Sequence, residues 1–570
     1  MAVRGQAEFL NLPFQEKLEF LYGLPARQKR DLILSAPEAE RLVQSFAPET
    51  LFYTVKEIGS ADAGDLLSLA LPEQVKSLFD LDCWDKDRPN TGRMREWIEA
   101  LAEGGRRRLT EGLMELDLEL MSILLRGYIK VHRLEDAASS PDAPSNRFVQ
   151  FDENYLIEFI RHDAISQHIS DFLEEAFERD YKYFSALMEE IYWGVEAELE
   201  EEAYRFRSSR LSDRGFPDFF EAQNVFAYLN PAEFERLRSE HEPPERPDSA
   251  EEGDTVPLDM ALADRGGDRS LFNTALTAGF AGQGRRQIRS EMAMVTNEVL
   301  VARSIDFGDP EAVRVAVEMT HNYLNVALEH LAGGDLAAAI ASLRDTHLKL
   351  LFRLGVSLTI DLRSRAQSTV ASLELDAREA REIPYLDSPY RESISGFMMR
   401  LPRFFAALDG NGAVEMRDFR TMRDLHIGYG ILDRVAAMAE LFRALLGIDI
   451  ASASFRALVA GRDVRLSQIL LTAFVRMAFE GRLAPEPIEE SKLAAARTAF
   501  MDANGKPARL SEKFRATVTE VISGRLNGAA HHCEEFVNSC LDALEEEFAG
   551  LGGKRPIDPR FIRTVLVRHG

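Results

Sequence analysis

Three Pro-Glu pairs, each followed by apolar residues at helical spacing, constrain the fold of the first 130 residues most strongly. They are Pro37-Glu38, Pro48-Glu49 and Pro72-Glu73. Proline suits the first position of a helix because its missing N–H would have no partner there, and glutamate is stabilised by the positive end of the helix dipole. The pairs therefore predict short helices. Short helices cannot each bury a face alone, so we expect residues 1–136 to stack as a solenoid-like domain.

Helical periodicity continues through the rest of the chain, without alternating strands and helices or a series of hairpins. The predicted class is all-α, with N-terminal short-helix solenoid-like repeats followed by longer helical bundles. The longest predicted helix runs from about Tyr181 to Arg207. Its apolar stripe contains Phe184, Leu187, Met188, Ile191, Val195, Leu199 and Phe206. The opposite face is acidic and contains Glu189, Glu190, Glu196, Glu198, Glu200, Glu201 and Glu202. Phe148–Phe151 alternates like a short strand, but we do not assign one there.

Two polar stretches divide the chain. Ser139–Asn146 is a loop by composition, and residues 240–257 combine four prolines with acidic residues and almost nothing apolar. Such a composition is typical of a linker or an exposed loop. We therefore predict a helical middle domain over 148–239, an acidic Pro-rich linker or loop over 240–257, and an all-helical region over 258–570 that forms one or two units.

Charge and cysteine content exclude several classes of protein. The 570 residues carry a net charge of −26, which repels the phosphates of nucleic acids and anionic membrane surfaces. Three cysteines are too few for a disulfide framework or an all-cysteine zinc site. No signal peptide and no apolar run of about 18 residues is evident. We expect a soluble cytoplasmic protein without membrane insertion.

The strongest candidate site lies where the long helix is predicted to end, near Arg207–Arg210. An anion-binding pocket would use Arg207, Arg210, Asp213 and Arg214, because the planar guanidinium binds carboxylate or phosphate through two hydrogen bonds. The structural alternative is an internal network of arginines and carboxylates that fixes the turn. In that interpretation Phe216, Phe219 and Phe220 form a buried plug.

The turn itself is predicted in detail under either interpretation. Gly215 is expected to adopt a backbone angle that other residues resist, and Pro217 forces extended geometry on Phe216. Phe216 is predicted to be buried against Leu199 and Phe206. Asp218 is predicted to cap a helix over Phe219–Leu229.

Three clusters contain residue types that bind metal ions, but no metal site and no cofactor is predicted. Asp80–Asp87 and Asp409–Asp418 offer the oxygen ligands that Mg²⁺ and Ca²⁺ prefer, and His531–Cys540 offers nitrogen and sulfur ligands. Ordinary turns, caps and core cysteines explain all three. Whether any of them binds metal is left open by the sequence.

Two resemblances add to this interpretation. The run from Glu200 to Asp218, together with Asp80–Asp85 and Trp97–Leu101, resembles an uncharacterised bacterial domain-of-unknown-function family. Such a family implies no activity. The short helices with Pro-Glu starts in the first 130 residues are weakly similar to the cytosolic helical superhelix of magnesium-transporter N-domains and to flagellar motor-switch proteins.

Two functions fit the sequence. The first is a non-enzymatic scaffold whose partner is another protein, because stacked short helices form extended concave surfaces. The alternative is an enzyme or small-anion sensor with an arginine-lined pocket at residues 205–220, whose ligand is a small anion. Whether the chain is an enzyme is left open.

Overall fold

A computed structural model describes residues 8–568 except residue 23, residues 135–146, 247–269, 373–382, 384, 411–413, most of 451–462, 503–507, 527–529 and 552–556. Helical residues 19, 22 and 530–532 are described by their backbone alone. The chain forms two compact units, residues 1–354 and 355–570. Helices make up 70% of the structure, so the predicted predominance of helix is confirmed.

The first unit contains the short helices α1–α9 and the longer helices that follow. Their bounds are α1 Phe14–Tyr22, α2 Ala26–Ser35, α3 Ala39–Gln44, α4 Pro48–Ile58, α5 Gly64–Leu67, α6 Pro72–Asp82, α7 Thr91–Ala102, α8 Arg106–Met114, α9 Leu118–Arg126, α10 Ala164–Arg179, α11 Tyr181–Trp193, α12 Glu196–Asp213, α13 Phe219–Ala222, α14 Pro231–Glu240, α15 Leu271–Gly279, α16 Gly282–Ala302, α17 Pro310–Ala332 and α18 Leu336–Asp345. Helix α19, Leu348–Ser372, includes the boundary between the units.

Alternate short helices of the N-terminal region pack on each other. Helix α2 packs on α4, α4 on α6, and α6 on α8. Pro48 and Pro72 are the first residues of α4 and α6, as predicted, whereas Pro37 lies in a turn before α3. The buried rings of Phe52 and Trp97 stack with their centroids 6.3 Å apart. Proline at the first helical position therefore sets where α4 and α6 begin, and the Phe52–Trp97 contact joins α4 to α7.

The all-α prediction needs one correction, because small sheets accompany the helices. A hairpin pairs β1 (Trp84–Asp85) with β2 (Arg88–Pro89). A three-stranded antiparallel sheet has the order β3 (Ile129–Arg133), β5 (Tyr155–Phe159), β4 (Phe148–Val149). Strands of two to five residues are too short for a secure period-two signal. The alternating stretch Phe148–Phe151 contains β4, a strand that the sequence prediction leaves out.

The predicted long helix over Tyr181–Arg207 is wrong, since the chain breaks at Gly194 between α11 and α12. Arg126 donates to the carbonyls of Ile191, Glu190 and Gly194 at 3.1, 2.9 and 2.5 Å, so its guanidinium binds the end of α11. A Cβ at Gly194 would lie 2.6 Å from the Glu190 carbonyl oxygen. The break therefore depends on the absence of a side chain at residue 194.

The second unit is also mostly helical. Its helices are α20 Tyr390–Phe397, α21 Met422–Leu446, α22 Leu466–Glu480, α23 Leu493–Phe500, α24 Glu512–Arg525 and α25 Ala530–Gly550. Helix α25 packs on α21 and α22. The short strands are β6 Phe404–Phe405, β7 Met416–Arg417, β8 Ile488–Glu489, β9 Met501–Asp502, β10 Arg509–Leu510 and β11 Val567–Arg568. β6 pairs with β7 and β9 with β10 in antiparallel fashion, and β11 pairs in parallel with β8.

The domain boundaries predicted at 136–148 and 240–257 stay predictions, because residues 135–146 and 247–269 lie outside the described part of the chain. The described start of the acidic Pro-rich stretch contains Arg246, whose buried guanidinium lies 2.8 Å from the Glu291 carboxylate. Among the described helices, none is by itself long and apolar enough to cross a membrane. Helices α17 and α18 satisfy that test only as a pair bent by 115°, by length and composition alone.

Candidate functional site

The predicted arginine cluster lies on the buried side of α12. Leu199, Ala203 and Leu211 are the buried apolar residues of this helix, and α12 packs on α9. Arg207, Arg210 and Arg214 follow at spacings of three and four residues, so they share the inward-facing side. The helix continues to Asp213, past the end predicted near Arg207–Arg210. All three guanidiniums therefore point toward the N-terminal helices.

Arg210 is bound by two carboxylates. Its Nε and Nη2 atoms donate to Asp80 at 2.7 and 2.8 Å, and its Nη1 and Nη2 atoms donate to Asp117 at 3.1 and 2.6 Å. The Asp80 side chain is only 1% exposed. Burial lowers the pKa of Arg210, but the hydrogen bonds to Asp80 and Asp117 outweigh it and raise that pKa above its ordinary value. Asp80 and Asp117 therefore already accept hydrogen bonds from the guanidinium N–H groups that an external anion would need.

Arg207 holds the β1–β2 hairpin. Its Nε donates to the carbonyl of Asp80 at 2.7 Å, and its Nη1 to the carbonyl of Lys86 at 3.5 Å. The guanidinium lies 5.0 Å from the centre of the Trp84 ring, a cation–π contact. Burial lowers the pKa of Arg207 to about 10, so it is still charged at neutral pH. Arg207 thus fixes α6 to α12 through the Asp80 carbonyl, and the hairpin to α12 through the Lys86 carbonyl and the Trp84 ring.

Arg214 has the least complete set of partners. Its Nη1 atom lies 3.9 Å from the buried Glu49 carboxylate and is buried without a hydrogen-bond partner. The hydroxyl of Tyr53, one turn after Glu49, is also buried without a partner. Burial raises the pKa of Glu49, and the nearby Arg214 opposes that rise. Among the predicted site residues, Arg214 is therefore the one with a buried N–H group that lacks a hydrogen-bond acceptor.

The turn after α12 follows the prediction in three respects. Gly215 has a φ of +80°, and Phe216 is 2% exposed. Asp218 Oδ1 accepts hydrogen bonds from the backbone N–H groups of Phe220 and Glu221 at 2.8 and 3.1 Å. The capped helix is shorter than predicted, because α13 ends at Ala222. Asp213 itself is exposed.

The predicted aromatic plug is only partly formed. The Phe216 ring packs 5.2 Å from the Phe307 ring, whereas Phe206, its predicted neighbour, is exposed. Phe219 and Phe220 are exposed as well, with Phe220 at 84%. The prediction that these two rings are buried is wrong. The chain turns the Phe216 side chain inward after Gly215. Helix α13 has only four residues, and the rings of its first two residues, Phe219 and Phe220, are exposed.

Three carboxylates of the Asp80–Asp87 cluster, those of Asp80, Asp82 and Asp85, bind protein groups. Asp82 accepts from Lys56 Nζ at 2.9 Å and from the Trp97 indole N–H at 2.8 Å. Arg93 bridges Asp82 to Asp306, with its Nη1 3.4 Å from Asp82 Oδ1. Asp80 and Asp82 therefore tie the short helices to α12 and to the segment before α17.

The other two predicted clusters are partly outside the described residues. Asp409 pairs with Arg417 at 2.9 Å and Asp418 with Arg403 at 3.0 Å, whereas residues 411–413 are not described. The side chains of His531 and His532 are also not described. Cys533 is buried, and burial raises its pKa to about 11. Within the described part of the chain, no three His, Cys, Asp or Glu side chains are grouped so as to hold a metal ion.

The sequence prediction missed a surface at the junction of α11 and α12. We define the Trp193 surface as Trp193, Val195, Glu198, Glu201 and Glu202. Trp193 is 63% exposed and Val195 is 55% exposed, and the three glutamates are exposed. Val195 had been placed in the apolar core stripe of one continuous helix. Gly194 is the sequence signal for the break, because glycine is a poor residue for the interior of a helix.

Two open clefts lie away from the arginine cluster. One, of about 660 Å³, lies between α21 and α25 and is lined by Asp433, Arg434, Glu534, Glu535 and Asp542 among others. The other, of about 550 Å³, lies between α8 and α10 and is lined by paired arginines and glutamates. Neither cleft includes Arg207, Arg210 or Arg214.

The fold and this site define a predominantly helical protein whose inward-facing arginines bind its own carboxylates and carbonyls. The chain matches the family of unknown function DUF6178 over residues 6–568 and belongs to that family. This match confirms the resemblance to an uncharacterised domain-of-unknown-function family. No curated protein and no solved structure matches the chain. Nothing in these comparisons supports the similarity to magnesium-transporter N-domains.

Proposed function

We propose that this protein is a non-enzymatic scaffold that binds another protein, in the cytoplasm, through the Trp193 surface. The observation that carries the proposal is the exposure of Trp193 and Val195, two apolar side chains one residue apart on either side of Gly194. Tryptophan is enriched among the residues that contribute most to binding at protein interfaces. An exposed tryptophan beside a second exposed apolar residue therefore favours a docking function.

The backbone at this surface is held in place before any partner binds. Arg126 donates to three carbonyls around the break, including Gly194 at 2.5 Å. The Trp193 ring also packs edge-on against Tyr192, with the centroids 4.7 Å apart. A side chain that is already ordered loses less conformational freedom on association. Trp193 is thus suited to act as a rigid anchor.

The contacts of the arginine cluster favour the scaffold over the enzyme or anion sensor. Arg210 is bound by Asp80 and Asp117, and Arg207 by two carbonyls and the Trp84 ring. An anion would have to displace these internal partners. The alternative retains one supporting feature, the Nη1 atom of Arg214, which is buried without a hydrogen-bond partner.

The solenoid-like stacking predicted for residues 1–136 forms the second part of the proposal. Its support is the packing of α2 on α4, α4 on α6 and α6 on α8. In this proposal the N-terminal stack gives the scaffold an extended concave surface, as stacked helical repeats do. The Trp193 surface supplies the anchoring contact.

Site-specific photo-crosslinking in living cells tests the proposal. A photoreactive amino acid replaces Trp193 in one variant and Phe561, a 64% exposed phenylalanine, in a control variant. We expect a defined protein adduct at position 193 that is absent at 561. The adduct should be lost when Val195→Asp is added. Identical adducts at both positions, or no adduct at 193, would overturn the proposal.

A further inference from the structure

We infer that the Trp193 surface binds a basic amphipathic segment of a partner protein, with its apolar residues on Trp193 and Val195 and its Lys or Arg side chains along α12. This inference rests on the proposed function and adds the chemistry of the partner. It is carried by two exposed apolar residues, Trp193 and Val195, that come immediately before a row of exposed carboxylates on α12.

The spacing of residues places the carboxylates in line with the anchor. Val195 immediately precedes α12, and Glu198 and then Glu201 and Glu202 follow at intervals of three or four residues. Residues at these intervals share one face of a helix. The buried Leu199 and Ala203 lie on the adjacent side of the helix, and Glu198, Glu201 and Glu202 are exposed. The acidic row therefore faces solvent along the first two turns of α12.

The sequence on either side of this surface supplies almost no positive charge, although Arg126 from α9 is bound to the Gly194 carbonyl. Residues 183–204 contain seven glutamates and no lysine or arginine. The first basic residue, Arg205, is 67% exposed and lies 3.5 Å from Glu202. Its guanidinium also lies over the Phe206 ring, 5.3 Å from the centroid. Arg205 pairs with Glu202 and follows Glu201 by one turn, whereas Glu198 has no Lys or Arg within four residues on either side.

Carboxylates from the neighbouring helix add to the negative charge. Burial of Glu119, in the first turn of α9, raises its pKa, and Asp117, Glu202 and Glu190 raise it further. Asp117 is bound by Arg210 and Lys76, and Glu189 accepts a hydrogen bond from the Tyr155 hydroxyl at 2.5 Å. The carboxylates of Glu119, Glu190 and Glu202 repel one another. A bound segment with Lys or Arg side chains reduces that repulsion.

The length of the row sets the size of the segment. A helix rises by about 1.5 Å per residue, so Val195 to Arg205 spans about 15 Å. A helical partner segment of about ten residues covers this distance. Its apolar residues at intervals of three or four would meet Trp193 and Val195, in the way that amphipathic helices bind apolar surfaces. An acidic segment, a nucleic acid or an anionic membrane would be repelled.

The three tryptophans of the chain provide a direct measurement. Trp84 and Trp97 are buried, so acrylamide should quench mainly the fluorescence of Trp193. The purified full-length protein is titrated with an amphipathic Lys/Leu peptide, a Glu/Leu peptide of the same pattern and a scrambled Lys/Leu peptide. A Trp193→Phe variant supplies the background. We expect the amphipathic Lys/Leu peptide alone to protect Trp193 from quenching.

Matched triple variants separate a specific site from general charge attraction. The Glu198→Gln/Glu201→Gln/Glu202→Gln variant should raise the Kd for the Lys/Leu peptide by about tenfold or more. The control, Glu178→Gln/Glu235→Gln/Glu240→Gln, removes the same charge from exposed positions in the same unit and should change the Kd less than twofold. Circular dichroism and melting temperature check that both variants fold.

Several outcomes would overturn the inference. They are an equal loss of affinity in both triple variants, protection by the scrambled or Glu/Leu peptide to the same extent, and protection by Ca²⁺ alone, which would indicate a cation site. If these outcomes occur while the crosslink at position 193 persists, the docking function stands and only the chemistry of the partner is wrong. If the crosslink is absent and the Lys/Leu peptide still binds, the scaffold proposal fails.

Discussion

Arg210 and Asp80 bind each other through two parallel hydrogen bonds, from Nε to Oδ2 at 2.7 Å and from Nη2 to Oδ1 at 2.8 Å, although 130 residues separate them in sequence. Asp80 is buried in α6, and Arg210 reaches it from the last turn of α12. The same guanidinium binds Asp117, the residue before α9. One side chain thus joins three separate helices of the first unit.

Arg210→Met should destabilise the protein strongly, because it leaves the buried Asp80 carboxylate without its cation. Removing one partner of a buried ion pair costs about 3–5 kcal/mol. The matched control is Arg205→Met on the same helix, where an exposed pair with Glu202 contributes about 1 kcal/mol or less. Urea denaturation followed by circular dichroism measures both. Equal midpoints for the two variants would contradict an internal role for Arg210.

Phe216→Ala should destabilise the protein much more than Phe220→Ala. Phe216 is 2% exposed and packs on Phe307, so truncation leaves a cavity that costs about 3–5 kcal/mol. Phe220 is exposed and its truncation should change stability by about 0.5 kcal/mol or less. Melting temperatures of the two variants test this. A Phe216→Ala variant that melts with the wild type would show that the ring is not part of the core.

Gly194→Ala should destabilise the junction of α11 and α12. The new Cβ would lie 2.6 Å from the Glu190 carbonyl oxygen and 3.1 Å from Arg126 Nη2, so the backbone must shift. Such overpacking costs about 1–3 kcal/mol.

Gly430→Ala, within α21, is the opposite case, since nothing lies within 4 Å of its Cβ position. It should stabilise the second unit by about 0.5–1 kcal/mol. Denaturation curves with the same outcome for both variants would contradict this prediction.

Glu119→Gln should stabilise the protein in a pH-dependent manner. Burial and the carboxylates of Asp117, Glu202 and Glu190 raise the pKa of Glu119 above its ordinary value of 4.5. A group with a raised pKa in the folded state contributes stability that is present below the unfolded-state pKa and is lost as pH rises through the folded-state pKa. The variant should therefore melt above the wild type at pH 8, and the gap should narrow toward pH 4.

The control for Glu119→Gln is Glu73→Gln. Glu73 is exposed and occupies the same position, the second residue of a helix, so both substitutions remove the same interaction with the helix dipole. Glu73→Gln should produce no gain in melting temperature at pH 8. A gain in melting temperature of the same size in both variants would show that burial of Glu119 and its neighbouring carboxylates have no effect on stability.

Local signals in the sequence predicted several features of the fold and the site. Pro48 and Pro72 begin their helices because proline is tolerated only at that end. Gly215 adopts a positive φ, Phe216 is buried and Asp218 caps the next helix, as the order Gly-Phe-Pro-Asp indicated. Each of these features depends on the properties of a few consecutive residues. Such properties can be interpreted without knowing the rest of the chain.

Features that depend on distant residues could not be predicted in the same way. The break after Trp193 is stabilised by Arg126, 64–68 residues earlier in the chain. The arginines of α12 face Asp80, Lys86 and Asp117, about 90 to 130 residues away, so local sequence could not distinguish an anion pocket from an internal network. Val195 and Phe206 were assigned to the core because a continuous helix would have placed them on its apolar stripe.

The separation between Arg210 and Asp80 also affects how the protein is made. Asp80 is synthesised 130 residues before Arg210, which at about 5–20 residues per second is about 6–26 s earlier. The interval is longer for Arg93, because its partner Asp306 is synthesised 213 residues later. During translation the N-terminal helices therefore emerge with charged groups that have not yet met their partners. Their final packing can therefore be completed only after α12 and the segment before α17 have left the ribosome.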